Sequence, residues 1–204
     1  MTNTRLKNTL SILSTIITII LAIVSSLLVI RNVCYTNIVV HGSSMYPTLQ
    51  TGDFGYAIST EYAKKNIKRF DIIIFEKEED GKRNDLIKRV IALPGETFEF
   101  KGENCDLYIN DELIPQSFIS LEYQKLTCQG PTATIEKDIK YIVPENYYFV
   151  LGDNRGVSRD SAHGLGNVKQ EEIVGILKVI TATCKVSDDK NVCDDKKYVS
   201  FKFF

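Results

Sequence analysis

The sequence predicts a mainly β protein, in which a single N-terminal transmembrane helix is followed by an all-β outer domain. One observation is an apolar run without any charged residue, which extends from Asn8 to Ile30. The other is that short apolar or alternating segments, bounded by Gly, Pro, Asn and Asp, make up the chain after this run. This is the pattern of strands joined by turns. Roughly 170 residues follow the apolar run, which suits one main domain.

The apolar run is long enough to cross a membrane. As a helix, Leu10–Ile30 rises roughly 31 Å, and the hydrocarbon core of a bilayer is about 30 Å thick. The alternative is a cleaved signal peptide, whose apolar part is about 7–15 residues long and is followed by a small-residue cleavage site. Arg31 and the bulky segment "NVCYTNIVV" follow this run instead. A retained anchor in the cell membrane, with a single span, is therefore favoured.

Basic residues set the expected orientation of this anchor. Arg5 and Lys7 precede the span, whereas Arg31 is the only Lys or Arg between the span and Gln50. Because positively charged flanks stay in the cytoplasm, residues 1–9 are predicted to form a cytoplasmic tail. The chain after the span is then extracytoplasmic.

Nine segments of the outer domain have the composition and alternation of strands, and "STEYAKKNIKRF" indicates a short helix or a turn. The nine segments are "NIVV", "FGYAI", "DIIIF", "DLIKRVIAL", "TFEFK", "DLYIN", "ELIP", "YYFVLG" and "EIVGILKVITATC". Asn110 and Asp111 separate two apolar runs in "LYINDELI", which predicts a tight hairpin. The outer domain is expected to span 31–185, with a more polar inserted subdomain at 96–140 and a C-terminal tail at 186–204.

The charge balance argues against one class of function. The chain carries 25 basic and 26 acidic side chains, which gives a net charge of -1, and its pI is ≈ 6.2. Binding to nucleic acid depends largely on a basic face that neutralises phosphates. A nucleic-acid partner is therefore not expected.

Five cysteines fit an oxidising compartment. Cys105 and Cys128 lie in one segment, and Cys184 and Cys193 lie near the end of the chain. Two local bridges are conceivable, with Cys34 left over, but the pairing cannot be derived from the spacing. The spacings differ from those of zinc sites, so a structural metal is not expected.

A candidate nucleophile follows the first predicted strand, in "HGSSMYPTL". Ser44 in this segment needs an adjacent base, because a serine hydroxyl is otherwise a weak nucleophile. The chain has two histidines, His41 and His163. His41 lies three residues before Ser44, an odd separation that places the two side chains on opposite faces of an extended chain, and His163 is distant in sequence. A Ser-His-Asp triad is therefore disfavoured.

Lys88 is the other candidate base. It lies in the predicted strand "DLIKRVIAL", where alternation places it on one face with Leu86 and Val90 and among aliphatic neighbours. A lysine in such a strand is often a surface residue whose amine reaches solvent. To act as a base it must lose its proton near neutral pH. Its pKa must then fall well below the normal value, by an amount that corresponds to roughly 4 kcal/mol of free energy. Full burial supplies shifts of that size, and a lysine-activated serine is a known variant of the triad.

A polar segment, "VLGDNRGVSRDSAHGLG", follows the eighth predicted strand. Asn, Asp, Gly and Ser are also the residues that turns favour, so composition alone indicates a polar turn. The residues of interest in this segment are Gly152, Asp153, Asn154, Arg155, Ser158, Asp160 and Ser161.

Taken together, these segments resemble the type I signal peptidases, membrane-bound Ser/Lys endopeptidases of the bacterial type that remove secretory leader peptides. The matching motifs are "GSSMYPTL", "GDFGYA", "DIIIF", "KRVIALPGE" and "GDNRGVSRDS" followed by "GLG". They occur in the family's order, after a membrane anchor, and the resemblance covers the chain from the anchor to about Val179. Each motif is weak or moderate alone, whereas the ordered set is specific.

The resemblance implies roles for individual residues. Ser44 matches the nucleophile, Lys88 the general base, and Ser158 the serine whose hydroxyl orients the lysine amine. The backbone N–H of Ser44 serves the oxyanion hole. Residues implied to brace the site are Asp160, Arg155, and an ion pair of Asp153 with Arg89. Residues that match the walls of the substrate pockets are Ile38, Val40, Met45, Leu49, Leu86 and Ile87.

Three positions depart from the family pattern. Gly42 occupies a position where part of the family has a serine that binds the oxyanion, so the oxyanion hole is expected to depend on backbone groups alone. Ala162 follows "DS" where arginine is common, so Asp160 needs another partner, for which Arg159 and Arg155 are candidates. His41 replaces a more usual proline.

The expected function is removal of signal peptides from secreted precursor proteins, without a metal or an organic cofactor. The expected partners are therefore such precursors and the lipid bilayer. One alternative is a specialised Ser/Lys protease with one dedicated secreted substrate. The other is a non-enzymatic single-pass adapter, against which the presence of Ser44, Lys88 and Ser158 argues.

Overall fold

A computed structural model describes residues 2–79, 81–129, 133–186 and 193–204. The chain divides into two compact units, the first ending at Tyr35 and the second beginning at Thr36.

The first unit is a helix, α1 (Thr2–Cys34). Its stretch Leu10–Ile30 has a mean hydropathy of 2.7 and is long and apolar enough to cross a membrane. Five of the six polar residues of this stretch are compatible with lipid because their hydroxyls donate to backbone carbonyls three or four residues earlier. These residues are Ser14, Thr15, Thr18, Ser25 and Ser26.

The second unit is mainly β, which confirms the predicted fold class. It also contains two short helices, α2 (Glu61–Lys65) and α3 (Leu121–Leu126). The strands, of which the first begins at the end of α1, are β1 (Tyr35–Val39), β2 (Asp53–Ile58), β3 (Ile72–Glu79), β4 (Lys82–Ala92), β5 (Thr97–Lys101), β6 (Asp106–Ile109), β7 (Glu112–Leu113), β8 (Tyr141–Ile142), β9 (Tyr147–Leu151), β10 (Val168–Lys169), β11 (Ile173–Val186) and β12 (Cys193–Phe203). Each of the nine segments predicted as strands overlaps one of them.

The larger sheet has the strand order β1-β2-β11-β3-β4-β9-β10, and β12 also pairs with β11. The 14-residue strand β11 organises this sheet because it pairs with β2, β3 and β12. Much of the segment that the sequence set apart as a tail is thus strand β12. Its charged residues obscure the alternation by which the other strands are recognised.

The smaller sheet, β7-β6-β5-β8, lies in the region predicted as an insertion. Asn110 and Asp111 have φ values of 49° and 70°, as the predicted tight hairpin requires, and β6 pairs directly with β7 across this turn. A disulfide joins Cys105 to Cys128, and Cys34 is free. Cys184 is also disulfide-bonded, whereas the Cys193 side chain, its suggested partner, lies outside the described residues.

Two features of the larger sheet position the candidate site. One is a hydrophobic cluster beside the loop between β1 and β2, formed by Val40, Met45 and Leu49 with residues of β2, β3 and β11. The other is the edge of β4. Within the described residues, β4 pairs with β9 only from Arg89 onward, so the same edge from Lys82 to Lys88 is left unpaired.

Candidate active site

The loop between β1 and β2 holds Ser44 in a defined position. Met45 is 1% exposed and Leu49 is 0% exposed, and both belong to the cluster described above. Asn154, just after β9, binds the loop from the other side. Its backbone N–H donates to the Ser44 carbonyl at 3.0 Å, and its side-chain amide donates to the Ser43 carbonyl at 3.1 Å. Ser44 is therefore fixed on both sides by contacts that are remote in sequence.

Strand β4 brings Lys88 to this serine. Lys88 Nζ lies 2.9 Å from Ser44 Oγ and donates to the Ile87 carbonyl at 3.0 Å. The lysine is 3% exposed, and this burial lowers its pKa to about 8, although the nearby charges of Asp160 and Asp153 act in the opposite direction. A neutral amine at this position can accept the hydroxyl proton while it still donates to the carbonyl.

The residue after Lys88 forms a buried ion pair. Arg89 Nε and Nη2 donate to the two carboxylate oxygens of Asp153 at 2.8 and 2.6 Å. The guanidinium also donates to the Phe70 carbonyl and lies over the Phe118 ring, 4.2 Å from its centroid. The Thr48 hydroxyl donates to the same carboxylate. Both charges are buried and have several partners, which is the condition under which a buried ion pair is tolerated.

Ser158 is buried next to Gly152 but is not hydrogen-bonded to Lys88. Its Oγ makes no hydrogen bond within the described residues, and Lys88 Nζ binds Ser44 and a backbone carbonyl instead. Gly152 fills the space between the two serines. A Cβ placed on it would lie 2.2 Å from Ser158 Oγ and 2.4 Å from the Ser44 carbonyl oxygen.

Asp160 is held by His163. Asp160 is fully buried, and its Oδ1 lies 2.8 Å from Nδ1 of His163, which is 6% exposed. The same carboxylate accepts the backbone N–H groups of Gly152 at 2.9 Å and Ala162 at 3.1 Å. Arg155, one of the two arginines expected as partners of Asp160, acts on it through its charge, whereas its hydrogen bonds within the described residues go to other groups.

Arg155 is fully buried and binds neutral groups. Its guanidinium donates to the Gly152 carbonyl at 3.1 Å, to Thr127 Oγ1 at 2.5 Å and to Gln116 Oε1 at 2.6 Å. Burial lowers its pKa to about 10, so it stays protonated at neutral pH. Because Thr127 and Gln116 belong to the inserted region, Arg155 links that region to the backbone beside Ser44.

The two histidines occupy different environments. His41 is exposed, and His163 binds Asp160. Of the pocket residues implied by the resemblance, one group shares the cluster beside Ser44, whereas Leu86 packs against a different cluster, which contains Val90 and Ile73. The group beside Ser44 consists of Ile38, Val40, Met45, Leu49 and Ile87.

The backbone around Ser44 is suited to binding an oxyanion. Within the described residues the Ser44 N–H donates to no acceptor. Gly42 has a φ of +81°, and a Cβ there would meet nothing within 4 Å. A serine at this position has space, but its backbone conformation would be unfavourable.

Sequence reasoning missed several residues that support the site. His163 had a local signal, because it follows Asp160 by three residues, a spacing that one turn can close. Gln116 and Thr127 come from a remote segment, and no local pattern marks them. Thr48 and Asn154 lie in segments that the sequence singled out, but their contacts were not predicted. Among the described residues there is no group of three or more His, Cys, Asp or Glu that could hold a metal ion.

Comparison with known proteins finds a matching family and similar sequences. A family profile described as "Signal peptidase, peptidase S26" matches residues 11–182. Signal peptidase I S of Bacillus subtilis is 35% identical over 79% of this chain and 84% of its own length. Signal peptidase I V of the same organism is 37% identical over 72% of this chain and 86% of its own length. A crystal structure of a signal peptidase I from Enterococcus faecalis is 32% identical and aligns over 54% of this chain and 96% of its own, with a TM-score of 0.40. The chain belongs to the signal peptidase family, peptidase S26.

Proposed function

We propose that this protein is a membrane-anchored serine endopeptidase that removes signal peptides from secretory precursor proteins, with Ser44 as nucleophile and Lys88 as general base. The observation that carries the proposal is the 2.9 Å contact between a buried lysine amine and a serine hydroxyl. Family membership adds support, since the relatives reported above are signal peptidases.

Acylation begins when neutral Lys88 takes the proton of Ser44. The Ser44 Oγ attacks the scissile carbonyl carbon, and the negative charge that forms on the carbonyl oxygen is stabilised by the Ser44 N–H. The Lys88 ammonium then gives its proton to the leaving amine as the peptide bond breaks, which leaves an ester between Ser44 and the signal peptide.

Deacylation uses the same two side chains. Lys88, again neutral, takes a proton from a water molecule that attacks the ester carbonyl. The ester bond breaks, and Ser44 recovers its proton from Lys88 as the signal peptide leaves. With a pKa of about 8, about a tenth of Lys88 is neutral at pH 7, so the base is available without a histidine.

The substrate would bind as an extended strand. Two segments near Ser44 can receive it: the end of β1, and the edge of β4 up to Lys88, which within the described residues is unpaired on that side. Backbone hydrogen bonds would supply affinity, and shallow pockets would select alternate side chains. Ile38 and Ile87 are half-buried and would line these pockets, whereas Val40, Met45 and Leu49 would support them from below.

The supporting residues keep the reacting groups aligned. Ser158 would orient the lysine amine when a substrate is bound, since its buried hydroxyl is uncommitted within the described residues. The pair of Arg89 with Asp153 would fix the end of β4, and Asp160 and Arg155 would fix the backbone at Gly152.

The expected location is the cell membrane, with residues 1–9 in the cytoplasm and the catalytic domain, residues 31–185, outside. The basic residues before Leu10–Ile30 favour this orientation, and the bridge between Cys105 and Cys128 fits an oxidising compartment. The chain from Ile30 to Ser44 reaches at most about 50 Å. Confinement near the bilayer would raise the effective concentration of membrane-bound precursors.

Cleavage of a precursor in proteoliposomes tests the proposal. Full-length protein and a secretory precursor are reconstituted together, and the mature product is measured on gels. We expect cleavage by the wild type and none by Ser44→Ala or Lys88→Met. Exposed residues provide matched controls, Ser117→Ala and Lys65→Met, which should cleave normally. Cleavage by either Ser44→Ala or Lys88→Met would refute the mechanism.

A further inference from the structure

His163 is the side chain through which this protein holds its buried Asp160. A carboxylate without solvent contact requires hydrogen-bond donors. Within the described part of the chain, Asp160 has two backbone donors and one side-chain donor, which is Nδ1 of His163 at 2.8 Å. Because a carboxylate only accepts, Nδ1 of the imidazole must carry the proton.

The other ring nitrogen shows that His163 serves Asp160 alone. Nε2 is buried and has no hydrogen-bond partner within the described residues. A histidine that relayed protons would use both nitrogens, as the catalytic histidine of a Ser-His-Asp triad does. The ring therefore acts as a fixed donor to one carboxylate, not as a second base.

Asp160 transmits this constraint to the nucleophile loop through Gly152. Its Oδ2 accepts the Gly152 N–H at 2.9 Å. Gly152 is so closely packed that a Cβ would lie 2.4 Å from the Ser44 carbonyl oxygen and 2.2 Å from Ser158 Oγ. A small movement of the carboxylate would therefore displace the backbone on which both serines pack.

We propose that His163 is a positioning residue: by donating to Asp160 it fixes the backbone at Gly152 and so aligns Ser44 with its base. This inference depends on the proposed function of Ser44. Loss of the donor should lower kcat by about 10- to 100-fold with little change in KM, because misplacing a reacting group by about 1 Å has an effect of this size.

Two amide substitutions separate donor position from polarity. His163→Asn places an N–H near the position of Nδ1, whereas His163→Gln places it near Nε2 and away from Asp160. We expect His163→Asn to keep most of the wild-type kcat and His163→Gln to lose it. His163→Leu, which has no donor, should resemble His163→Gln. Thermal unfolding of each full-length variant shows whether it is folded.

The pH profile supplies a readout that general destabilisation would not change. The charge of Asp160 raises the pKa of Lys88, so a displaced Asp160 should move the acid limb of kcat/KM to lower pH in His163→Gln. Asp153 also acts on Lys88, and Arg155 on Asp160; both are unchanged in every variant. The limb should stay in place in His163→Asn.

The outcomes distinguish this inference from the proposed function. If the wild type cleaves and Ser44→Ala does not, the mechanism stands, whatever His163 does. Equal kcat for wild type and His163→Gln would then overturn the positioning role. Equal losses in His163→Asn and His163→Gln, with an unmoved acid limb, would overturn it as well.

Discussion

Lys88→Met should inactivate the protein and at the same time stabilise it near neutral pH. The buried amine has a pKa of about 8 in place of 10.5, chiefly because burial disfavours its charged form. At pH 7 the folded protein must therefore keep a proton on a group whose surroundings oppose it. Methionine has a similar length and carries no charge, so the substitution removes this penalty.

The size of the effect follows from the two pKa values. The difference between 10.5 and about 8 corresponds to roughly 3 kcal/mol at pH 7. For a domain of this size that is about 6–12 °C in Tm. The penalty is present below pH 8, where both folded and unfolded chains hold the proton. It decreases between pH 8 and 10.5, where only the unfolded chain holds it, so the wild type gains stability relative to Lys88→Met as pH rises through this window.

Unfolding of the full-length proteins in detergent measures the difference. The free energy of unfolding of wild type, Lys88→Met and the exposed control Lys65→Met is followed by circular dichroism at several pH values from 7 to 10.5. We expect the gap between wild type and Lys88→Met to be largest at pH 7 and to close toward pH 10.5. In parallel, kcat/KM of the wild type should rise tenfold per pH unit up to about pH 8. If the difference in free energy of unfolding between wild type and Lys88→Met did not change with pH, the conclusion that burial lowers the pKa of Lys88 would be wrong.

Three further variants test the packing around the dyad and the disulfide of the inserted region. Gly152→Ala should lower kcat at least about 10-fold because its Cβ has no space between the two serines. The control in the same assay is Gly156→Ala, where the atom nearest to the new Cβ is the end of a leucine side chain. Ser158→Ala should change the free energy of unfolding by less than about 1 kcal/mol, since the hydroxyl has no hydrogen bond within the described residues. The kcat of this variant measures how far the hydroxyl orients the Lys88 amine. Replacing Cys105 and Cys128 by alanine should lower the free energy of unfolding by about 3 kcal/mol, given the 23-residue separation, as denaturant titration can show.

The parts of the site that the sequence could predict are those placed by strand periodicity. Alternation in an apolar strand places Lys88 on one face with Leu86 and Val90. Composition alone favours a surface amine for such a lysine, whereas Lys88 is 3% exposed. The hairpin at Asn110 and Asp111 was predictable for a similar local reason, because these residues tolerate left-handed backbone angles. Both inferences need only the residues of one segment.

The remaining parts depend on contacts between distant segments. Asp160 lies in a turn, where no periodicity states which way a side chain points, and the sequence analysis assigned it to arginine candidates while His163 binds it. Thr127 and Gln116 reach Arg155 from the inserted region, and nothing in either segment marks this contact. Strand β12 was missed because charges interrupt its apolar pattern.

A conflict between charge and burial explains why the supporting residues are arranged as they are. Lys88 must lose its proton, yet two carboxylates that favour the protonated form, Asp153 and Asp160, act on it. Each carboxylate is committed to its own donors: Asp153 binds Arg89 through both oxygens, and Asp160 binds His163 and two backbone N–H groups. Burial outweighs the charges of both carboxylates, so the pKa of Lys88 falls to about 8. The same carboxylates can therefore hold the backbone in place while the pKa of Lys88 stays low enough for about a tenth of the amine to be neutral at pH 7.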